Sequence, residues 1–192
     1  MRKFAAILAG LVVAAVLAIA SVVVTVGIGI RDRGIDNGPW STSLTVGSAD
    51  ADMYTKAAVA IGGLLALSKE ETIYYTAFQD SDGDTLTEDC TYRVEGPDPD
   101  TRWWSMTIYA LDNYLVRNDD NRPSVAQTTV TRTRPGHFHA IVSPEAQPVN
   151  WISSRNAGSP FSLTLRLYNP GASVYSAPDS TPLPSIKKET CK

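Results

Sequence analysis

The sequence predicts a mainly-β protein: a jelly-roll-like antiparallel β-sandwich with one N-terminal amphipathic helix, preceded by a single transmembrane helix. Three observations carry this expectation. Phe4 to Ile30 contains no charged residue. Apolar and polar residues alternate with a period of two in several later segments, most cleanly in FSLTLRLY at 161–168. Turn signals rich in Gly, Pro, Asn and Asp separate these segments at short intervals, as sandwiches and barrels require.

The uncharged run comes first. A hydrocarbon core of about 30 Å needs roughly 20 apolar helical residues, so Phe4–Ile30 is long enough to span with some tilt. Ala18-Ile19-Ala20 resembles a small-residue cleavage site, but Val22 to Ile30 continues the apolar run and favours an uncleaved signal-anchor over cleavage near Ala20. Arg2, Lys3 and the start amine face Arg31 and Arg33 across the span. This slight bias places the N-terminus in the cytoplasm and the rest outside. The expected organisation is therefore an anchor at 1–30, a spacer at 31–48 and an exported domain at 49–192.

Residues 34–47, with their Gly, Pro, Ser and Thr, read as the spacer. A soluble helix follows over 50–67, capped by Ser48 or Asp50, with Met53, Ala57, Ile61 and Leu64 on one face for packing against a core. Ala58 and Gly62 lie four apart on a neighbouring stripe that permits close approach. Strands are expected at 72–79, rich in β-branched and aromatic residues, and at 103–110, where Trp104, Met106 and Ile108 share one face. Another is expected at 161–168, with Phe161, Leu163, Leu165 and Leu167 inward and Ser162, Thr164 and Arg166 outward. Shorter candidates lie at 91–94, 114–116, 125–131 and 138–142. Asp82-Gly83 reads as a hairpin turn. The proline-rich stretch 176–184 is expected to run extended over the surface.

The chain of 192 residues carries a net charge of −3, or about −5 once Arg2 and Lys3 are set aside. No basic patch with interleaved aromatics is present, so nucleic acid is not an expected partner. Both cysteines, Cys90 and Cys191, lie beyond the anchor. In an oxidising compartment they are expected to pair and staple the C-terminal tail to the domain.

AAVAIGGLLAL, ETIYYTAFQDSDGDTL, YRVEG, RWWSMTIYALDNYLVRN and NWISS…GSPFSLTLRLYNP follow one another from about residue 50 to 170. In that order they resemble a bacterial family known as domain of unknown function 1214. The resemblance implies a jelly-roll-like sandwich and export from the cytoplasm. Members often form the C-terminal part of longer proteins behind a second uncharacterised domain, and this chain resembles a short, membrane-anchored branch. No established reaction or catalytic residue comes with the resemblance.

Three clusters are candidates for chemistry. Asp80-Ser81-Asp82-Gly83-Asp84 resembles the opening of a calcium loop. However, Thr85 and Thr91 stand where an EF-hand needs Gly and Glu, so a solvated turn is the better reading. His137 and His139 alternate on one strand face, and with Glu145 they form a candidate metal set. The third cluster is Arg102, Trp103, Trp104, Tyr109, Trp151, Arg166 and Tyr168. Trp104 belongs by parity to the core, whereas Trp103 and Arg166 face the other way and are candidate ligand contacts, able to stack a sugar or clamp an anion. The motifs of serine hydrolases, P-loops and dinucleotide folds are absent, and no cofactor is expected.

The leading expectation is a single-pass bacterial inner-membrane protein whose C-terminal domain lies in the periplasm. There it would bind or scaffold an envelope protein or glycan. The alternatives are a metal-dependent jelly-roll enzyme acting on a small molecule, and a partner subunit of another envelope protein.

Overall fold

The computed structural model describes residues 2–29, 34–61 and 66–192. Helix α1 (Arg2–Gly29) contains an apolar stretch, Lys3–Val24, of 22 residues. At 1.5 Å per residue it is about 33 Å long, enough to cross a hydrocarbon core. Its described side chains are exposed, as expected of a helix with no protein core around it. Ile30, Arg31 and Arg33 lie outside the described residues.

The described strands, in chain order, are β1 (Ile35–Asn37), β2 (Trp40–Thr42), β3 (Thr72–Ala77), β4 (Cys90–Pro97), β5 (Thr101–Tyr109) and β6 (Ser124–Ala126). They continue with β7 (Arg132–Arg134), β8 (His137–Ser143), β9 (Trp151–Ser153), β10 (Ser162–Pro170) and β11 (Ser185–Cys191). They form two sheets. One has the order β1-β2-β3-β10-β5-β6, and the other has β11-β4-β8-β7 with β9 running parallel beside β8. All other pairings are antiparallel.

Alternation dictates the core between the sheets. Ile73, Tyr75 and Ala77 of β3, Trp104, Met106 and Ile108 of β5, and Leu163, Leu165 and Leu167 of β10 are buried from one side. Tyr92, Val94, Phe138, Ala140, Val142 and Ile186 meet them from the other. The rings of Trp104 and Phe138 touch across the interface at 4.3 Å between centroids. Each large side chain so buried contributes about 1.5–3 kcal/mol. Mainly-β architecture, inward parity and antiparallel sandwich are as the sequence implies.

Several expectations need correction. The stretch read as a spacer contains β1 and β2, a hairpin that extends the first sheet through Thr42↔Tyr75. Trp40 is buried there and donates its indole N–H to the Pro184 carbonyl at 2.7 Å. The soluble helix α2 (Met53–Ile61) is shorter than expected and is capped by Asp52, whose carboxylate accepts from the Tyr54 and Thr55 amides at 2.9 and 3.0 Å. Neither Ser48 nor Asp50 caps it. Of its apolar stripe, Met53 is 84% exposed rather than packed on the core. The side chains of Ala58, Ile61, Gly62 and Leu64 lie outside those described. Asp82-Gly83 does form a hairpin turn, with Gly83 at φ +90° and an antiparallel bridge between Gln79 and Thr85, before the chain passes to β4 in the other sheet. The expected strands at 114–116 and 125–131 shrink to one bridge at Leu115 and to β6. Beyond Pro184, β11 adds an unexpected edge strand, and a Cys90–Cys191 disulfide joins it to β4.

Candidate functional site

The outward face of the six-stranded sheet gathers most of the third sequence cluster. Register brings Tyr168 beside Trp103, Arg166 between Tyr74 and Ser105, and Thr164 between Thr76 and Thr107. All point away from the core because their parity is opposite to Leu165 and Met106. The Trp103 and Tyr168 rings pack at 5.1 Å, tilted by 51°. The Arg166 guanidinium lies 5.9 Å from the Tyr74 ring centre and 5.2 Å from that of Tyr109, within cation–π range of both. It donates to the Tyr109 hydroxyl at 2.5 Å.

Tyr109 stands opposite Ser162, four residues along β10 from Arg166. The arginine therefore leans along the sheet over Thr164 and Thr107, which accounts for the burial of so small an outward residue as Thr107. Thr76 and Thr164 share a hydroxyl hydrogen bond at 3.3 Å, and the Tyr74 hydroxyl accepts from the Leu67 amide at 3.4 Å. Among the described residues no carboxylate pairs with Arg166, although six other cations have such partners.

The opposite outer face is different. There Arg93 pairs with Glu189 and Lys187 with Glu95, so its charges are neutralised locally. Trp104 is fully buried and donates to Asp98 at 3.1 Å. Asp98 also receives two bonds from Arg132, at 2.8 and 3.1 Å, and holds that guanidinium's pKa above its usual value. This triad ties β5 to the loop after β4 and to β7. Trp151 donates to the Ser143 carbonyl at 2.9 Å, and Arg102 to the Asn169 side chain at 3.4 Å. Neither joins the Arg166 cluster.

The candidate metal set does not assemble. His137 and His139 share the outward face of β8, opposite Pro97 and Glu95. Glu145 lies beyond the other end of that strand and pairs with Lys192 at 2.8 Å. This contact holds its carboxyl below the ordinary pKa. Among the described residues no group of three His, Cys, Asp or Glu side chains is placed to hold a metal ion. The Asp80–Asp84 segment is a tight turn: one Asp80 oxygen accepts from the Asp82 and Asp84 amides, both at 3.0 Å. Asp84 pairs with Lys188, which docks the turn onto β11.

A surface cavity of about 470 Å³ lies elsewhere, between Arg117, Asn118, Asp119, Arg155 and Asn156. It is polar and open. Its lining is tied up in loop closure, with Asn118 and Asn156 donating to the carbonyls of Arg155 and Arg117 at 2.8 and 3.2 Å. The sequence reading missed Tyr74, Thr76, Ser105 and Thr107. Their parity was legible, but their convergence on Arg166 depends on cross-strand register.

These features define a two-layer antiparallel β-sandwich that follows an apolar N-terminal helix and carries an arginine-aromatic outer face. The chain belongs to the family described as Protein of unknown function (DUF1214), whose sequence profile matches residues 71–172. The VPA0106 protein from Vibrio parahaemolyticus is similar in structure, with 26% identity and a TM-score of 0.59 over 73% of this chain and 36% of that one. An uncharacterised protein from Burkholderia cenocepacia shares the fold at 13% identity and a TM-score of 0.50, over 90% of this chain and 41% of its own. The chain thus spans well under half the length of either structure. No curated protein matches it.

Proposed function

We propose that this protein is a binding module held at the outer surface of the bacterial inner membrane. Its ligand surface is the outward face of the six-stranded sheet. The observation that carries this reading is Arg166, a half-buried guanidinium set between Tyr74 and Tyr109 with no carboxylate partner among the described residues. The two rings and the Tyr109 hydroxyl hold the guanidinium in place, and its remaining donors suit an incoming anion.

Export is supported by the apolar helix together with the Cys90–Cys191 bond, a combination suited to an oxidising compartment. Residues 30–34 separate Gly29 from Ile35 and can reach at most about 22 Å. An uncleaved anchor would therefore hold the sandwich close to the bilayer.

The test is photo-crosslinking in living cells with a photoreactive amino acid at Trp103, and at Arg93 on the opposite face as control. Position 103 should yield adducts with envelope protein or glycan, and position 93 should not. Equal yields, or none at either position, would refute the assignment of the face. A second reading makes the protein a partner subunit of another envelope protein. It predicts that the adduct at 103 is one defined envelope protein.

A further inference from the structure

Resting on the binding-module reading and naming its ligand, we infer that this face takes an acidic glycan, with one sugar ring on the Trp103–Tyr168 pair and a carboxylate-bearing neighbour at Arg166. The spacing suits an oligosaccharide. Tyr168 and Arg166 are two residues apart on one face of β10, so the ring pair and the arginine stem sit about 7 Å apart. Because the guanidinium leans on towards Tyr109, it lies farther from the ring pair than the stem does. A sugar stacked on the ring pair leaves its glycosidic neighbour over this stretch.

The floor between the two ends is hydroxyl-bearing rather than apolar. Thr76 and Thr164 line it, half-buried and sharing a hydroxyl hydrogen bond, whereas Ser105 and Thr107 are buried. Such a floor matches a ligand rich in hydroxyls and offers little to an acyl chain or an apolar helix. The aromatic pair supplies stacking area, as Trp and Tyr do wherever one side of a ligand is apolar and its rim is polar.

Charge decides which glycan. The Tyr109 hydroxyl takes one N–H of Arg166, and the remaining donors of the fork match a carboxylate. The protein as a whole is acidic, so an unpaired arginine on this face is a local reversal of sign.

The test uses the full chain in nanodiscs of zwitterionic lipid, titrated with an oligogalacturonate trimer and with its fully methyl-esterified form. The two have the same rings and differ in charge. The acid should bind at least about tenfold more tightly than the ester, the scale of one charge-assisted hydrogen bond. Arg166→Gln should abolish that preference, Arg166→Lys should restore part of it, and Trp103→Ala should weaken acid and ester alike. Unchanged thermal unfolding of these outward-facing variants establishes that each is folded.

Equal binding of acid and ester would overturn the acidic-glycan inference while leaving the face as a binding surface. The same holds if neither binds while position 103 still crosslinks. Binding to anionic vesicles that depends on Arg166, with no glycan binding, would overturn the inference in favour of a lipid surface. Absence of both glycan binding and crosslinks would remove the inference and the binding face together.

Discussion

Replacing both cysteines, as Cys90→Ala/Cys191→Ala, tests how the last strand is held. The bond closes a loop with a sequence separation of 101 residues. In the chain-entropy treatment a loop of that size restricts the unfolded chain by about 4.7 kcal/mol, and strain or residual denatured structure brings measured values down to about 2–4. Native contacts do not compensate. Of β11 only Ile186 is buried, and its three ion pairs are surface contacts worth about 0–1 kcal/mol each. The double variant should therefore lose about 3–4 kcal/mol, and its melting point should fall by about 2–4 °C for each. Guanidinium unfolding followed by tryptophan fluorescence reads this directly, since Trp40, Trp103, Trp104 and Trp151 all lie beyond α1. The dependence on denaturant should also steepen, because the uncrosslinked chain exposes more surface. Amide exchange should quicken at 187–191 and stay slow in β10. A loss below about 1 kcal/mol with an unchanged slope would refute the loop-closure reasoning.

Three further outcomes are expected. Burial, with Asp179 adding to it, pushes the Tyr75 hydroxyl up to about 12 from 10.0. The fold thus favours the protonated phenol, and this contribution is intact below pH 10 and lost as pH rises through about 12. Unfolding measured across that range should show a loss that Tyr75→Phe removes, at the expense of the 3.0 Å bond to Pro178. Asp98→Ala strands the Arg132 guanidinium and the Trp104 indole together and should cost about 2–4 kcal/mol in urea unfolding. Asp98→Asn, which keeps an acceptor for the indole, should cost less. Gly96→Ala should destabilise by about 1–3 kcal/mol. Its Cβ would lie 2.6 Å from the Pro184 Cα, on the segment that accepts the Trp40 indole, and thermal unfolding should show the loss.

The fold was legible where strands are long and half-buried. In β10 and β5 every second residue is apolar, so parity alone assigned Leu163, Leu165, Leu167, Trp104, Met106 and Ile108 to the core. Strands of three residues carry no such period. β1 and β2 lie in a stretch whose Gly, Pro, Ser and Thr read as a spacer, and the burial of Trp40 there has no local pattern to announce it. β11 failed for another reason: Ser185–Cys191 has one buried residue and reads as a charged tail. Register with β4 and a covalent bond hold it, not hydrophobic patterning. The Asn150 side chain illustrates the same gap. It bonds the Thr131 amide and the carbonyls of Thr131 and His139 at 2.7–2.8 Å, closing a loop that no local pattern announces.

The candidate site shows why parity names residues but not sites. Trp103 and Arg166 were visible as outward-facing, yet so were His137 and His139, and by sequence the two sets had equal standing. What separates them is the neighbour that register supplies. β10 sits between β3 and β5, so Arg166 meets Tyr74 on one side and, by leaning, Tyr109 on the other, with small hydroxyl residues beneath. His139 faces Glu95, already paired with Lys187, and Glu145 is drawn away to Lys192 at the far end of the strand. One face thus pairs Arg93 and Lys187 from within, and the other keeps a cation among aromatic rings without a counter-charge among the described residues. In the reading proposed here, a central strand flanked by aromatic neighbours turns an outward arginine into a recognition element, and Arg166 lies at that position in the sheet.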